Sequence, residues 1–187
     1  MSLKELTNDP FTLLLEIERR AKEAIARRGG DDKSANEWVG VAFRLASDSF
    51  VTARADVREV LPVPEQITRI PGAKSWLRGI ANVRGQLLTL VDLKAFLGSG
   101  STHADRKARM LVLATREIPT AIIVDEVLGF RRFDASDFDD APSATEIRCD
   151  HYVRGSYRRE GETYPLFDLR RLLNDPGFLS AGQLKAG

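Results

Sequence analysis

The sequence predicts a mainly β protein built on a duplicated unit, with a helix ahead of it. Three observations carry this. From Trp38 onward apolar residues recur with period two. Prolines and glycines punctuate the short runs. Residues 78–97, RGIANVRGQLLTLVDLKAFL, align without a gap with residues 154–173, RGSYRREGETYPLFDLRRLL. Arg78, Gly79, Gly85, Leu90, Asp92, Leu93 and Leu97 match Arg154, Gly155, Gly161, Leu166, Asp168, Leu169 and Leu173. A shorter echo sets VREVL at 57–61 beside VDEVL at 124–128.

Residues 9–28 read as a helix. Asp9 can cap it and Pro10 suits its first position. Leu14, Ile17, Ala21, Ala24 and Ile25 fall on one face, and Gly29-Gly30 stops it. Its other face mixes Glu16, Glu18 and Glu23 with Arg19, Arg20, Lys22 and Arg27, so a helix docked on protein fits better than a membrane-surface helix. Residues 31–37 read as a linker. Val39, Val41, Phe43 and Leu45, then Val51, Ala53, Ala55 and Val57, alternate as a half-buried hairpin turning near Ser47–Ser49. Pro62, Pro64 and Pro71 mark loops, and AKSWL at 73–77 is expected to form one helical turn.

Each repeat then reads as strand, turn, strand and helix. Gly85 and Gly161 supply tight turns, where glycine accepts positive φ without a Cβ penalty. Asp92 and Asp168 are helix N-caps for LKAFL and LRRLL. Residues 98–107 form a polar loop between the halves. MLVLA at 110–114 is uniformly apolar, as expected of a strand buried on both faces, and TAIIV at 120–124 returns. The acidic stretch 133–146 reads as a loop, and residues after Asn174 as a loosely docked end.

Composition excludes several classes. The chain has 187 residues, with 28 basic against 27 acidic side chains, a net charge of +1. That balance argues against nucleic acid as the main partner, since phosphate neutralisation needs a concentrated basic field. The single Cys149 has no internal disulfide partner, which fits a reducing cytoplasm. No apolar run approaches the ~20 residues that span a bilayer. No signal peptide opens the chain, as no uninterrupted apolar h-region follows the N-terminus.

No catalytic set emerges. His103 sits in a Gly/Ser-rich loop, and Cys149-Asp150-His151 offers two ligands where zinc needs three or four. LGSGS at 97–101 lacks the G-K-[ST] continuation of a phosphate loop, and no serine has a G-x-S-x-G setting. Asp134, Asp137, Asp139 and Asp140 lack calcium-loop spacing and fit a solvated loop. A duplicated β module without catalytic residues points to a protein that binds other proteins, with no metal and no cofactor. Glu59 stands out because it falls in phase with the apolar Val51, Ala53, Ala55 and Val57. A carboxylate there must leave the apolar face through a bulge or find a cation. Arg84 stands beside the turn glycine. On pattern alone each is an ordinary exposed charge.

VREVL, IPGAKSWLRGIANVRGQLLTLVDLKAFLG, TAIIVDEVLGF and GETYPLFDLRRLL resemble the CheW-like domain of bacterial chemosensory systems. The signature G-[VI]-x-N-x-R-G-x-[VIL]-x-x-[VIL]-x-D-L is met by Gly79, Ile80, Asn82, Arg84, Gly85, Leu87, Leu90, Asp92 and Leu93. The resemblance covers about residues 37–174. The N-terminal helix, WVGVAFRL and VDEVLGF resemble in particular the adaptors of type IV pilus systems, which control twitching motility. The resemblance implies a CheW-like fold of two SH3-like five-stranded β-barrel subdomains with short helices, following an N-terminal helical extension over 1–36. The subdomains would span roughly 37–97 and 108–174, with a tail over 175–187.

The resemblance also implies function. Such adaptors are not enzymes. They bridge the cytoplasmic tips of methyl-accepting chemoreceptors to the regulatory domain of a CheA-type histidine kinase, in the cytoplasm at membrane-associated arrays, without inserting into the membrane. Glu59 and Arg84 match positions tied to adaptor function, and Gly79, Asn82 and Gly85 match the motif around them. Glu126 stands where flagellar adaptors often carry glycine. These six are the candidate receptor- or kinase-binding residues, and Glu59 and Arg84 are expected to form a partly exposed cross-strand ion pair. A flagellar chemotaxis adaptor is the alternative within the family. A small-molecule-binding β-barrel domain or small enzyme is the alternative outside it.

Overall fold

A computed structural model describes residues 37–180 apart from 104, 116–117 and 142. The helix expected over 9–28 lies outside the described residues. The strands are β1 (Glu37–Leu45), β2 (Asp48–Ala53), β3 (Val57–Pro62), β4 (Leu77–Val83), β5 (Gln86–Asp92), β6 (Arg109–Leu113), β7 (Thr120–Val124), β8 (Glu126–Asp134), β9 (Phe138–Asp139), β10 (Val153–Arg159) and β11 (Glu162–Phe167). Three short helices follow β5 and β11: α1 (Leu93–Phe96), α2 (Leu169–Leu173) and α3 (Pro176–Leu179).

The strands form two curled sheets. One is five-stranded in the order β3-β6-β7-β5-β4, and the other six-stranded in the order β8-β1-β2-β11-β10-β9. The expected division into 37–97 and 108–174 is therefore not how the sheets divide. Residues 57–124 build the first sheet, while β1 and β2 join β8–β11 in the second. The reason is a parallel pairing. β11 sets Leu166 opposite Val51 of β2, just as β5 sets Leu90 opposite Ala121 of β7. Leu90 and Leu166 are equivalent in the repeat, so β1-β2 does for the second unit what β6-β7 does for the first.

The hairpin expected over 39–58 is shorter for the same reason. Its turn is Ala46-Ser47, closed by Leu45 opposite Asp48. A single 3-10 turn at Arg54–Asp56 then carries the chain from one sheet to the other. Ala55 is exposed accordingly, although it continues the alternation. In place of a helical turn over 73–77, Ser75-Trp76 form a single turn closed by Leu77 N–H donating to the Lys74 carbonyl at 3.0 Å, and Leu77 opens β4. Part of the acidic stretch is strand, with Phe138 and Asp139 pairing with Tyr157 and Ser156. The tail also differs, because Phe178 of α3 is buried against Trp76 and Phe96. Tyr152 donates its hydroxyl to Asp175 at 3.0 Å, and burial with that carboxylate pushes its pKa up to about 12.

Packing explains why β6 and β7 are apolar on both faces. Met110, Val112, Ala121 and Ile123 point into the first barrel with Leu88 and Leu90. Their neighbours Leu111, Leu113, Ile122 and Val124 point the other way, into a larger core between the sheets. There they meet Phe43, Leu45 and Phe50 of β1 and β2, with Phe167 and Leu169. Phe133, Tyr157 and Tyr164 fill the second barrel. Alternation along a strand therefore assigns each residue to one of two cores.

The repeat is reproduced in detail. Asp92 caps α1 by accepting from the Ala95 N–H at 3.2 Å, and Asp168 caps α2 by accepting from Arg170 and Arg171 N–H at 2.9 and 3.2 Å. Each aspartate also pairs with the arginine opening its own repeat, Arg78 or Arg154, both at 3.5 Å. The backbone N–H groups of Asp92 and Asp168 donate to the carbonyls of the equivalent residues Trp76 and Tyr152.

Leu111 lies in the core shared by both sheets. Leu111→Ala is expected to cost about 2–5 kcal/mol, the range for a large-to-small change in a packed core. Urea unfolding should remain one transition, coincident by tryptophan fluorescence and circular dichroism, because the sheets share that core. Two separated transitions would show that the barrels unfold independently.

Candidate functional site at the tip of the first barrel

Five of the six candidate residues lie on β3 and the β4–β5 hairpin. β3 and β4 are the two edges of the first sheet. Arg84-Gly85 is the two-residue turn between Val83 and Gln86, and both residues have positive φ, 53° and 83°. This is the turn whose twist matches the flanking strands. Asn82 stabilises it, its Oδ1 accepting from the Gly85 N–H at 2.9 Å. Nothing lies within 4 Å of a Cβ built on Gly85, so only its backbone conformation calls for glycine there.

The turn carries Arg84 to Glu59, and the two side chains form an ion pair. Both routes open to Glu59 are taken. The β3–β6 register shifts between Val57 and Glu59, which turns the carboxylate out of the apolar phase, and Arg84 supplies the cation. A second link runs alongside, with Arg58 Nη2 donating to Gln86 Oε1 at 2.6 Å. Together they tie one edge strand to the hairpin of the other edge. The pair is solvent-facing, with side chains 72% exposed for Arg84 and 36% for Glu59. Its stability contribution is therefore about 0.2–1 kcal/mol.

Gly79 plays a different part. It sits at a bulge in β4 with φ 135°, and a Cβ there would lie 2.2 Å from the Thr68 carbonyl oxygen. Thr68 and Ile80 exchange both backbone hydrogen bonds at 2.8 Å, so that carbonyl cannot move away freely. Gly155 repeats the arrangement, with φ 141° and the Asp139 carbonyl oxygen 2.5 Å from an added Cβ. Both glycines admit a crossing backbone.

Glu126 does not join this group. It lies on β8 of the other sheet and faces Arg44 at 3.7 Å. The VREVL–VDEVL echo makes it the counterpart of Glu59. The counterpart of Arg84 is Glu160, also at positive φ, which pairs with its neighbour Arg159 at 3.3 Å. The second barrel thus has two carboxylates where the first has an ion pair, and Arg159 also donates to the Arg132 carbonyl.

Two residues at this tip stand outside the six candidates. Leu87 and Ile118 are 64% and 62% exposed. The parallel register that sets Thr89 opposite Thr120 places Leu87 level with Ile118. Leu87 was legible, since the phase that buries Leu88 and Leu90 in the barrel turns Leu87 outward. Ile118 was not, since it sits in a loop. Elsewhere, Cys149 is buried, its thiol pKa raised chiefly by that burial, while His151 is exposed, so the triplet does not converge. Among the described residues no group of three or more His, Cys, Asp or Glu side chains could hold a metal ion.

Comparison with known proteins yields one consistent result. A model of the CheW-like domain matches residues 39–177. Protein PilI of Pseudomonas aeruginosa is 33% identical over 170 residues, covering 91% of this chain and 94% of PilI. Chemotaxis protein CheW of Bacillus subtilis is 25% identical, covering 61% of this chain and 73% of that protein. The crystal structure of the scaffolding protein TtCheW from Thermoanaerobacter tengcongensis superposes with a TM-score of 0.64 at 26% identity, covering 75% of this chain and 94% of TtCheW.

The two glycines are expected to separate in a substitution test. Gly85→Ala should cost about 1 kcal/mol, the left-handed backbone penalty alone. Gly79→Ala should cost more than that, because strain is joined by a backbone clash, and chemical denaturation reads the difference. In a double-mutant cycle, Glu59→Gln and Arg84→Gln should show a coupling below about 1 kcal/mol that weakens with salt. A coupling of several kcal/mol would contradict the exposure of the pair.

Proposed function

The chain belongs to the CheW-like domain family, and from that premise we propose that it is an adaptor coupling methyl-accepting chemoreceptors to a CheA-type histidine kinase in a type IV pilus system. The observation that carries the pilus assignment is the extent of the likeness to PilI. An alignment of 170 residues is longer than the stretch 38–187, so it reaches into the N-terminal segment. The likeness to the B. subtilis chemotaxis protein covers much less of the chain.

The molecule is suited to binding rather than chemistry. Among the described residues, apolar and aromatic side chains pack into both barrel interiors. The first tip instead offers a rigid turn, a solvent-facing ion pair and the exposed Leu87 and Ile118. A small apolar patch rimmed by charge is a usual protein-docking surface. Glu59 and Arg84 would orient a receptor tip there, and Glu126 would mark the corresponding surface of the second barrel. An adaptor of this kind acts by fixing geometry, so that a receptor conformation biases kinase activity through differential contacts. On this reading it works in the cytoplasm beneath the receptors.

Co-precipitation tests the reading. The full chain should retain the kinase regulatory domain without receptor, and a chemoreceptor cytoplasmic fragment without kinase. Arg84→Glu should weaken receptor capture tenfold or more while the melting temperature stays within a few degrees. The exchange Glu59→Arg with Arg84→Glu should recover part of the loss if the contact between them matters. Failure of well-folded protein to bind either partner would overturn the adaptor reading. Removal of residues 1–36 should leave kinase binding intact, since the barrels alone would make that contact.

A further inference from the structure

Equivalent clefts lie beside Arg78 and beside Arg154, and the two differ in charge. The cleft at Arg78 is about 410 Å³. Its charged side chains are Arg69, Lys74 and Arg78, with the hydroxyls of Ser75 and Ser101 and the apolar Ile70 between them. The cleft at Arg154, about 210 Å³, includes Asp140 and Asp150 as well as Arg171. One duplicated position has thus become purely cationic and the other mixed.

Internal pairing accounts for the second cleft and not for the first. Arg154 and Arg171 both reach Asp168, at 3.5 and 3.8 Å. In the first cleft, among the described residues, only Arg78 has an acid, Asp92 at 3.5 Å. That carboxylate also accepts from the Ala95 N–H and from the Thr102 N–H and hydroxyl. The side chains of Arg69 and Lys74 are exposed and form no hydrogen bond or ion pair with any described residue. Beyond Arg78 the surface continues past Arg106 and Arg109. Glu65 lies there, and the Asp105 carboxylate is taken up by the N–H groups of Lys107 and Ala108 at 2.8 and 2.9 Å.

We propose that the Arg69–Lys74–Arg78 cleft binds an acidic peptide segment of a partner protein. Three cations around one concavity repel one another, and carboxylates entering it relieve that repulsion. Arginine adds a fork matched to a carboxylate. The cleft has the volume of a small ligand site and an apolar wall at Ile70 and Leu77. That favours side chains carrying methylene groups, as Glu does, over a bare oxyanion. The site is separate from the barrel tip. Arg78 and Arg84 are six residues apart along β4 and its turn, about 20 Å.

The test uses the full chain and a fluorescein-labelled decapeptide of Asp and Glu interspersed with Leu, read by fluorescence anisotropy. Binding should saturate and weaken with salt. Arg69→Glu with Lys74→Glu should weaken it tenfold or more, and Arg69→Gln with Lys74→Gln serves if the reversal variant does not fold. Arg131→Glu with Arg158→Glu lowers net charge by the same amount on the other sheet and should change affinity less than twofold. Absence of saturable binding, or equal affinity in the cleft variants and the wild type, would overturn the proposal. So would complete displacement of the peptide by inorganic phosphate below millimolar concentration, which would make this a small-oxyanion site. Receptor and kinase capture are scored separately, so each reading fails on its own evidence.

Discussion

The core between the two sheets is the constraint on which the rest of the molecule depends. Leu111, Leu113, Ile122 and Val124 of one sheet face Phe43, Leu45 and Phe50 of the other, all essentially inaccessible. Their strands have a second buried face inside their own barrel. A strand buried twice tolerates neither register slip nor rotation, because a shift of one residue exchanges its two cores. The barrels are thereby held as one body.

The chain reinforces that core where it crosses between sheets. It crosses once through the 3-10 turn at Arg54–Asp56 and once at Asp125, between β7 and β8. An acid at each crossing is tied to the helix of one repeat. Lys94 of α1 reaches Asp125 at 2.8 Å, and its counterpart Arg170 of α2 reaches Asp56 at 3.0 Å. Asp125 also accepts from the Ala46 N–H at 2.7 Å, fastening the β1–β2 turn. The Lys94 pair is mostly shielded from water and less screened by salt than the Arg170 pair, whose arginine is largely exposed.

Within this frame the repeat separates what builds the scaffold from what is free to differ. The capping aspartates, their arginines, the bulge glycines and the left-handed turns occur in both units because each answers a backbone demand. The side chains at the ends of the hairpins answer none. Arg84 faces Glu59 at one tip, while Glu160 and Glu126 occupy the corresponding places at the other. Solvent-exposed side chains contribute little to stability, so these positions could diverge without cost to the fold.

The sequence by itself determined the local chemistry. Asp92 and Asp168 as caps, Gly85 and Gly161 as turns, and β6 as a strand buried on both faces all follow from neighbouring residues and alternation. Glu59 was legible as an anomaly in its strand, and the family signature named Arg84 as its companion. Only the tertiary structure decided which strands share a sheet. The parallel pairing of β11 with β2 joins residues more than a hundred positions apart, and no local pattern records such a contact. Continued alternation through Ala55 concealed the crossing at residues 54–56 for the same reason. Thr102 shows the limit at the scale of one residue: it lies in a polar loop, yet it is buried because Asp92 draws both its N–H and its hydroxyl inward. Local physics selects the elements, while long-range burial and hydrogen-bond satisfaction select their partners.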